Sequence, residues 1–193
     1  MKLKFRGFSM GLFCVFLLTS PALATFPDVD EYSGYMEAIE YVSELGIMVG
    51  DGEGNFNPNR TVTRAQMAVI ICRLLEKTEN LTASTQFSDV PTNFWANTYI
   101  SKVAELGIVS GYSNGAFCPS NPVTYEQAIK MIVQAVGYGE DATQSGGYPE
   151  GFIKIATEAG LLENLTANRS EVLSRADIAI ILYNYYVPPF MIG

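Results

Sequence analysis

The chain has 193 residues, 12 of them Lys or Arg and 20 Asp or Glu, with no His and a formal net charge of −8. Its apolar fraction of 48% is typical of a globular protein rather than a disordered one. The acidity argues against nucleic-acid binding, which needs a basic face. The lack of His excludes Ser-His and Cys-His nucleophile pairs and removes most zinc sites. We therefore expect a protein that is not an enzyme and has no cofactor and no nucleic-acid partner.

The first segment has the layout of a secretory signal peptide. Three cations near the amino terminus precede an apolar run over residues 8–18, and a small-x-small sequence, Ala-Leu-Ala, closes the segment at 22–24. The apolar run is shorter than the roughly 20 residues that a membrane span requires. We therefore expect removal of residues 1–24, which changes the net charge from −8 to −11. We also expect no membrane attachment after cleavage.

The residues that remain after this cleavage contain no recognisable metal-binding pattern. Cys72 and Cys118 have no metal or redox spacing, and Cys72 falls on the apolar face of a predicted helix, so we expect two unpaired thiols. A loop that begins at Asp51 resembles a calcium-binding EF-hand only in part. Phe56 stands where that loop requires Gly, and Val62 stands where it requires a bidentate Glu. We therefore expect no metal site.

The body of the chain repeats. Residues 26–29, Phe-Pro-Asp-Val, recur 61 positions later at 87–90 as Phe-Ser-Asp-Val. The same offset pairs Gly46 with Gly107, Phe56 with Phe117, Pro58 with Pro119, Thr63 with Thr124 and Gln66 with Gln127. A third, shorter copy begins near Tyr148 and matches in its second half, where Ser-Arg-Ala-Asp occupies 174–177. These matches predict three tandem repeats, at residues 25–80, 86–138 and 147–187.

Each repeat is predicted to contain two helices joined by a Gly-rich loop with an aromatic anchor. Apolar residues at helical spacing predict first helices at about 35–45, 96–106 and 151–159, and second helices that open at Thr63, Thr124 and Ser174. Linkers are expected at 79–86 and 137–147. One helix pair cannot enclose its own apolar face, but three pairs can pack around a common axis. We therefore predict an all-α fold in which three helix-loop-helix repeats form a pseudo-threefold bundle.

The order of these motifs resembles the S-layer homology family. The shared features are a Phe-x-Asp-Val start, a Leu-Gly helix stop, a Gly-rich loop with an aromatic residue, and a Thr-Arg-Ala-Gln opening of the second helix at 63–66. The resemblance covers about residues 26–186. Its motifs are dispersed, occur in order and are repeated, which makes the resemblance specific.

This resemblance implies both a fold and a function. Members of the family form a three-pronged pseudo-threefold bundle and anchor exported proteins to the cell wall. They bind secondary wall polysaccharide, which often carries pyruvate ketals, in grooves between neighbouring repeats, and the arginine of the four-residue motif contacts the ketal carboxylate. We therefore expect a secreted, non-catalytic protein at the cell wall of a bacterium, with an anionic wall polysaccharide as its partner.

Two arginines are the main candidates for ligand binding. Arg64 and Arg175 each follow the residue that opens a second helix, where capping does not need an arginine and a cation opposes the helix dipole. Free N–H groups at a helix N-terminus together with a guanidinium fork would suit a ketal carboxylate. Each arginine could instead pair with a neighbouring loop carboxylate. Because Tyr125 occupies the arginine position of the second repeat, we expect two competent grooves rather than three.

Further candidates are aromatic and polar residues near the same motifs. They are Trp95 and Tyr148 at the first-helix starts, Asp51, Tyr112, Ser113 and Asn114 in the loops, and Gln66 in the second-helix motif. Aromatic side chains suit the faces of sugar rings, but a ring at a helix start often serves packing. Polar loop residues also form turns, and Gln66 fits a capping box. Asp28 and Asp89 are expected to brace backbone rather than contact sugar.

Two other functions fit the sequence less well. A surface scaffold that captures a protein partner and has lost glycan binding would account for Tyr125 and for the shortened loop of the third repeat. A wall hydrolase would need a carboxylate pair such as Asp51 and Glu53, and no such pair recurs among the repeats. Wall anchoring is therefore the leading hypothesis, and the scaffold is its alternative.

Overall fold

The computed structural model describes residues 26–82 and 87–188. The predicted signal peptide and the end of the predicted linker at 79–86 lie outside the described residues. The described residues form seven helices: α1 (Met36–Glu44), α2 (Arg64–Leu74), α3 (Asn97–Glu105), α4 (Tyr125–Ala135), α5 (Gly139–Gln144), α6 (Glu150–Glu158) and α7 (Arg175–Tyr186). No strand occurs in the described part of the chain, which confirms the all-α prediction.

Six of the helices match the predicted helices closely, and α5 does not, because it lies inside the predicted linker 137–147. That part of the prediction is wrong. Gly137 and Gly146 adopt positive φ angles of 90° and 124° on either side of α5, so the glycines mark the ends of a short helix rather than an open linker. Ala142 at the centre of α5 is buried. The glycines at both ends of this segment predicted a linker, and the helix of 6 residues between them was therefore missed.

The first helix of each pair packs against the second helix of another pair. α1 lies against α7, α3 against α2 and α6 against α4, while α5 packs on both α4 and α6. Because every pair shares its apolar face with a neighbour, one core forms from all three pairs. Its most deeply buried residues include Ile39, Ile71, Ile100, Ile129 and Ile181. The pairs are therefore mutually dependent for burial of apolar surface.

A cycle of backbone hydrogen bonds joins the three pairs just before their second helices. Val62 N donates to Leu173 O at 3.1 Å, Leu173 N donates to Val123 O at 3.3 Å, and Val123 N donates to Val62 O at 2.8 Å. All three side chains are buried. This cycle marks the pseudo-threefold axis, and the predicted pseudo-threefold arrangement is confirmed.

The structure also describes the two cysteines and the lengths of the helices. Cys72 is buried and Cys118 is half-buried, and both are free thiols, as expected. Burial raises the pKa of the Cys72 thiol to about 11, so this group is un-ionised at neutral pH. Across residues 26–82 and 87–188, no helix has the length and apolar character needed to cross a membrane.

Candidate functional site

Two of the three second helices begin with a reciprocal cap. Thr63 Oγ1 accepts from the amide of Gln66 at 3.2 Å, and Gln66 Oε1 accepts from the amide of Thr63 at 2.9 Å. Ser174 and Asp177 form the same pair of bonds at the start of α7. Capping boxes are therefore present at α2 and α7, and in each an arginine is the first residue of the helix.

The cap of α4 is incomplete, because it lacks the second bond of the reciprocal pair. Thr124 Oγ1 accepts from the amide of Gln127 at 3.4 Å, but the Gln127 side chain does not return to the helix start. Its Oε1 accepts from Arg64 Nη1 at 3.1 Å, and its Nε2 donates to the Tyr112 hydroxyl at 3.1 Å. Gln127 therefore holds an arginine from another helix pair in place of closing its own cap.

The first amides of α2 and α7 are not free, which corrects a second prediction. They donate instead to carbonyl groups in a loop of another helix pair, which is the second pair for α2 and the first pair for α7. The four bonds, at 2.9 to 3.0 Å, join Arg64 N to Asn121 O, Ala65 N to Pro119 O, Arg175 N to Arg60 O and Ala176 N to Pro58 O. Any anion site here must therefore use the guanidinium groups, and the backbone bonds serve to carry each arginine onto the neighbouring loop.

Arg64 lies on the loop of the second helix pair. Its Nε donates to the carbonyl of Phe117 at 2.7 Å, and the guanidinium lies 4.6 Å from the ring centroid of Phe117 and 4.9 Å from that of Tyr112. The residue is only 6% exposed. Packing on two rings and a charge-assisted hydrogen bond hold the guanidinium in one orientation.

A cavity lies beside Arg64, and we call it groove B. It has a volume of about 150 Å³, and its polar and aromatic lining includes Arg64, Tyr112, Gln127, Lys130 and Tyr148. Lys130 Nζ lies 5.4 Å from the centre of the Tyr148 ring. Burial raises the pKa of the Tyr148 hydroxyl, so it remains a neutral hydrogen-bond donor. Groove B thus combines two cations with two aromatic rings.

Arg175 makes the corresponding contacts on the loop of the first helix pair. Its Nε donates to the carbonyl of Phe56 at 2.7 Å, its Nη2 donates to the carbonyl of Val49 at 2.7 Å, and the guanidinium lies 4.4 Å from the Phe56 ring centroid. Burial lowers the pKa of Arg175, although an arginine remains charged at neutral pH. None of the ion pairs in the described part of the chain involves either arginine, so the loop-carboxylate alternative is wrong.

We call the cavity beside Arg175 groove A. It has a volume of about 240 Å³, and its polar and aromatic lining includes Asp51, Arg60, Gln66, Arg73, Trp95 and Arg175. Trp95 is 61% exposed and comes from the second helix pair, so all three pairs contribute to this groove. Gln66 lines the groove while its side chain also completes the α2 cap.

The carboxylate of Asp51 is fully occupied by its own loop. It accepts from the amides of Glu53 and Asn55 at 2.9 and 3.1 Å and from Asn57 Nδ2 at 2.8 Å. These bonds, that from Asn57 above all, lower the pKa of Asp51 to about 2. The turn role foreseen as the alternative is present, and Asp51 also lies in the lining of groove A.

Asp28 and Asp89 fix the loop aromatics from a distance. The carboxylate of Asp28 accepts from the amides of Phe56 and Asn57, at 2.8 and 2.6 Å. The carboxylate of Asp89 accepts from the two equivalent amides, of Phe117 and Cys118, at 2.7 Å. The expected bracing role is therefore present, and it spans about half a repeat rather than the immediate neighbourhood.

The remaining loop candidates lie outside the grooves. Ser113 and Asn114 are exposed and do not line groove B, and Asn114 Oδ1 accepts from the amide of Ala116 at 3.1 Å in a turn. Sequence reasoning missed Gln127 and Lys130 in groove B. Both lie on one face of α4, separated by three positions, which is the signal that helical spacing could have supplied.

The junction between the second and third helix pairs differs from the two grooves. Tyr125 stands at the arginine position and is buried. Ala167 stands seven residues before Ser174, where Phe56 stands seven residues before Thr63. Arg169 from the third loop donates to Glu126 and Glu150, with N–O distances of 2.7 and 2.8 Å. We call this place the third junction.

Comparison with known proteins finds a domain family that the first two repeats resemble. Residues 25–68 and 86–129 match the S-layer homology domain. These segments contain the first two helix pairs up to the first turns of α2 and α4, including Arg64, Asp28 and Asp89. Over these two segments, the chain is therefore similar to S-layer homology domains.

The relatives include proteins of the bacterial surface. The chain is 32% identical over 184 residues to a cell surface protein of Thermoanaerobacter kivui, covering 93% of this chain and 22% of that protein. It is 29% identical over 173 residues to a middle cell wall protein of Brevibacillus brevis, covering 86% of this chain and 16% of that protein. The predicted cell-surface location is confirmed by the repeats and these relatives.

An enzyme is also among the relatives. The amylopullulanase of Thermoanaerobacterium thermosulfurigenes is 37% identical over 112 residues, which is 55% of this chain and 6% of the enzyme. The shared part is thus a small portion of a much longer protein. In general, the chain spans less than a quarter of the length of these relatives.

Proposed function

We propose that the protein attaches to the bacterial cell wall by binding an anionic wall polysaccharide, one that carries pyruvate ketals, in grooves A and B. Wall anchoring in general is supported by the two segments similar to S-layer homology domains and by the surface proteins among the relatives. The identity of the charged sugar and the use of the grooves are the parts that we add. No catalytic step is involved.

The observation that carries this proposal is the placement of the two motif arginines. Each guanidinium is held against the ring and the carbonyl of a loop phenylalanine, Phe117 for Arg64 and Phe56 for Arg175. Neither is neutralised by a carboxylate within 4.0 Å in the described chain. A fixed cation at the wall of a cavity is preorganised for an anion and loses little entropy on binding.

The aromatic residues support a sugar rather than a small inorganic anion. Trp95 lines groove A and Tyr148 lines groove B, and the two residues are 61% and 49% exposed just before the starts of α3 and α6. An exposed ring beside a fixed cation offers an apolar face to a pyranose and a charge to its acidic substituent. Each groove thus has both elements that a ketal-bearing sugar requires.

The test is sedimentation of the purified protein with bacterial cell walls, before and after mild acid removal of pyruvate ketals. We expect the wild type to sediment with intact walls and to stay in the supernatant with ketal-free walls. An Arg64→Lys/Arg175→Lys double variant keeps the charge but loses the fork of parallel donors, so wall binding should fall at least about tenfold.

Arg169→Ala is the matched control, because it removes one arginine from the third junction and leaves both grooves intact. It should bind walls as the wild type does, and circular dichroism should show equal helix content in all variants. The ketal proposal is wrong if the wild type sediments equally with intact and ketal-free walls. It is also wrong if Arg169→Ala weakens wall binding as much as the double variant does. Binding to a wall protein in place of the sugar would then favour the scaffold alternative.

A further inference from the structure

Two glutamines at equivalent positions of the repeat make different contacts. Gln66 and Gln127 are 61 positions apart, and each lies three positions after the threonine that opens a second helix. Gln66 Oε1 accepts from the amide of Thr63 and completes the α2 cap. The Gln127 side chain instead contacts Arg64 and Tyr112, which both line groove B. Because the two caps have the same residues, the difference comes from the neighbours of Gln127.

The direction of the hydrogen bonds at Gln127 follows from the chemistry of its partners. A guanidinium has only donors, so the amide atom 3.1 Å from Arg64 Nη1 must be the Gln127 oxygen. The NH₂ group then faces Tyr112, whose hydroxyl oxygen accepts from Nε2 at 3.1 Å. A hydroxyl that accepts one hydrogen bond still has its own proton to donate. Arg64, Gln127 and Tyr112 therefore form a hydrogen-bond relay that runs away from the guanidinium.

The two ends of this relay differ in their exposure. Arg64 is only 6% exposed, and its Nε is already used by the carbonyl of Phe117. Tyr112 is 41% exposed and lies in the lining of groove B. Among residues 26–82 and 87–188, its hydroxyl has no acceptor of its own. The relay therefore begins at a buried cation and ends at an accessible O–H donor.

A relay of this kind strengthens its last donor. The cation polarises the amide of Gln127, and the polarised amide in turn polarises the Tyr112 hydroxyl that accepts from it. A hydrogen bond from such a hydroxyl to an anion is charge-assisted and is stronger than one between neutral groups. Part of the electrostatic effect of Arg64 thus reaches groove B through Tyr112.

The described residues of groove A form no such relay. Asp51 stands 61 positions before Tyr112, and its carboxylate accepts from its own loop and has no proton to donate. Arg175 is half-buried rather than buried, and it donates to two backbone carbonyls. In groove A the arginine must therefore act on a ligand directly. The relay is a property of groove B and not of the scaffold.

We propose that Gln127 is a positioning residue of groove B, which directs the Tyr112 hydroxyl to donate its proton to the acidic group of the ligand. This inference rests on the proposed function and adds to it the means by which one groove selects its ligand. Groove B then requires two acceptor atoms on the ligand, one for the exposed edge of Arg64 and one for Tyr112, as a carboxylate provides. Groove A makes no such demand.

The experiment uses a methyl glucoside that carries one pyruvate ketal as the probe. The NMR amide signal of residue 112 reports on groove B, and the fluorescence of Trp95, the only tryptophan of the chain, reports on groove A. Tyr112→Phe and Gln127→Met should each weaken probe binding in groove B about tenfold. The double variant should be within about twofold of either single variant, because all three break the same relay.

Gln127→Glu tests the direction of the relay. A carboxylate only accepts, so the Tyr112 hydroxyl must donate to it and has no proton left for the ligand. Probe binding in groove B should therefore fall at least about tenfold. Gln134→Glu is the matched control, because it makes the same change seven positions later on α4 and outside the lining of groove B. It should bind the probe within about twofold of the wild type.

Three results overturn the inference: additive losses in the double variant, equal binding by Gln127→Glu and Gln134→Glu, or a wild type that does not bind the probe in groove B. An unchanged groove A affinity, from Trp95 fluorescence, shows that the variants are folded. Wall sedimentation separates the inference from the proposed function. Ketal-dependent sedimentation with additive losses defeats only the relay, whereas the expected losses without sedimentation defeat only wall anchoring.

Discussion

Grooves A and B and the third junction share one backbone scaffold and differ in chemistry. In both grooves an arginine at the start of a second helix lies on a loop phenylalanine. At the third junction, Tyr125 occupies the helix position and Ala167 the loop position, so the aromatic ring comes from the helix start and not from the loop. The arginine that is present, Arg169, belongs to the loop and is neutralised by two glutamates.

This difference shows that the backbone scaffold forms without an arginine at the start of the second helix. The hydrogen-bond cycle through Val62, Val123 and Leu173 is complete at all three junctions. Tyr125 N also donates to the loop of the third pair, through Glu171 O, much as Arg64 N donates to the loop of the second. Backbone bonds and apolar burial therefore build the three junctions, which differ at the helix position and at the loop position.

The largest effect on this comparison should come from the loop aromatics. Phe56 and Phe117 are fully buried, and each supplies the ring and the carbonyl that hold an arginine. Phe56→Ala and Phe117→Ala should each lower the free energy of unfolding by about 3–5 kcal/mol, because truncation leaves a cavity in the core. Urea unfolding followed by circular dichroism measures this loss.

Ala167→Gly is the matched change at the third junction. Ala167 is half-buried and holds no arginine, so this variant should lose about 1 kcal/mol or less. If all three variants lose equal stability, the aromatic anchors do not distinguish the grooves from the third junction. A loss confined to one groove would show that the two grooves are not equivalent in stability.

A smaller effect is expected from the arginines themselves. Arg64→Ala leaves the buried Phe117 carbonyl without its donor, so the free energy of unfolding should fall by about 1–3 kcal/mol. Arg169→Ala breaks ion pairs that are exposed to solvent and screened by salt, so its loss should be smaller. Unfolding in low and high salt distinguishes the two, because only the Arg169 effect should disappear in high salt.

Sequence reasoning could predict the scaffold because the scaffold depends on periodic and repeated features. The spacing of apolar residues located six helices, and the capping pattern located the starts of α2 and α7. The short helix α5 was missed because its glycines at positive φ have the same sequence signal as a loop. Pattern and propensity are sufficient where a segment is long and regular, and insufficient where it is short.

The site was less predictable, because its geometry depends on contacts between distant parts of the chain. The sequence identified Arg64 and Arg175 as candidates, but not the loops that they contact. Arg64 contacts Phe117, 53 positions later in the chain, and Arg175 contacts Phe56, 119 positions earlier. The sequence also suggested free amides at the helix starts, whereas the packing of the pairs occupies them. Contact between helix pairs also explains the incomplete cap of α4, because the Gln127 side chain accepts a hydrogen bond from Arg64 of the first pair.

The smallest expected effect concerns the one carboxylate in groove A. Hydrogen bonds, first that from Asn57, lower the pKa of Asp51 from 3.8 to about 2. A depressed pKa stabilises the loop above pH 3.8, and this contribution is lost as the pH falls towards 2. The loop of groove A should therefore open in strong acid, whereas groove B has Tyr112 at the equivalent position and should show no such step.

The amide signals of Glu53 and Asn55 in an NMR titration measure this directly, because both amides donate to Asp51. Their midpoint should lie near pH 2, and Asn57→Ala should raise it, since the principal donor is removed. A midpoint at 3.8 in the wild type would show that the carboxylate is not held by its loop. Asp51 would then be free to pair with Arg60 or Arg73, and the positive charge of groove A would be weaker than the structure indicates.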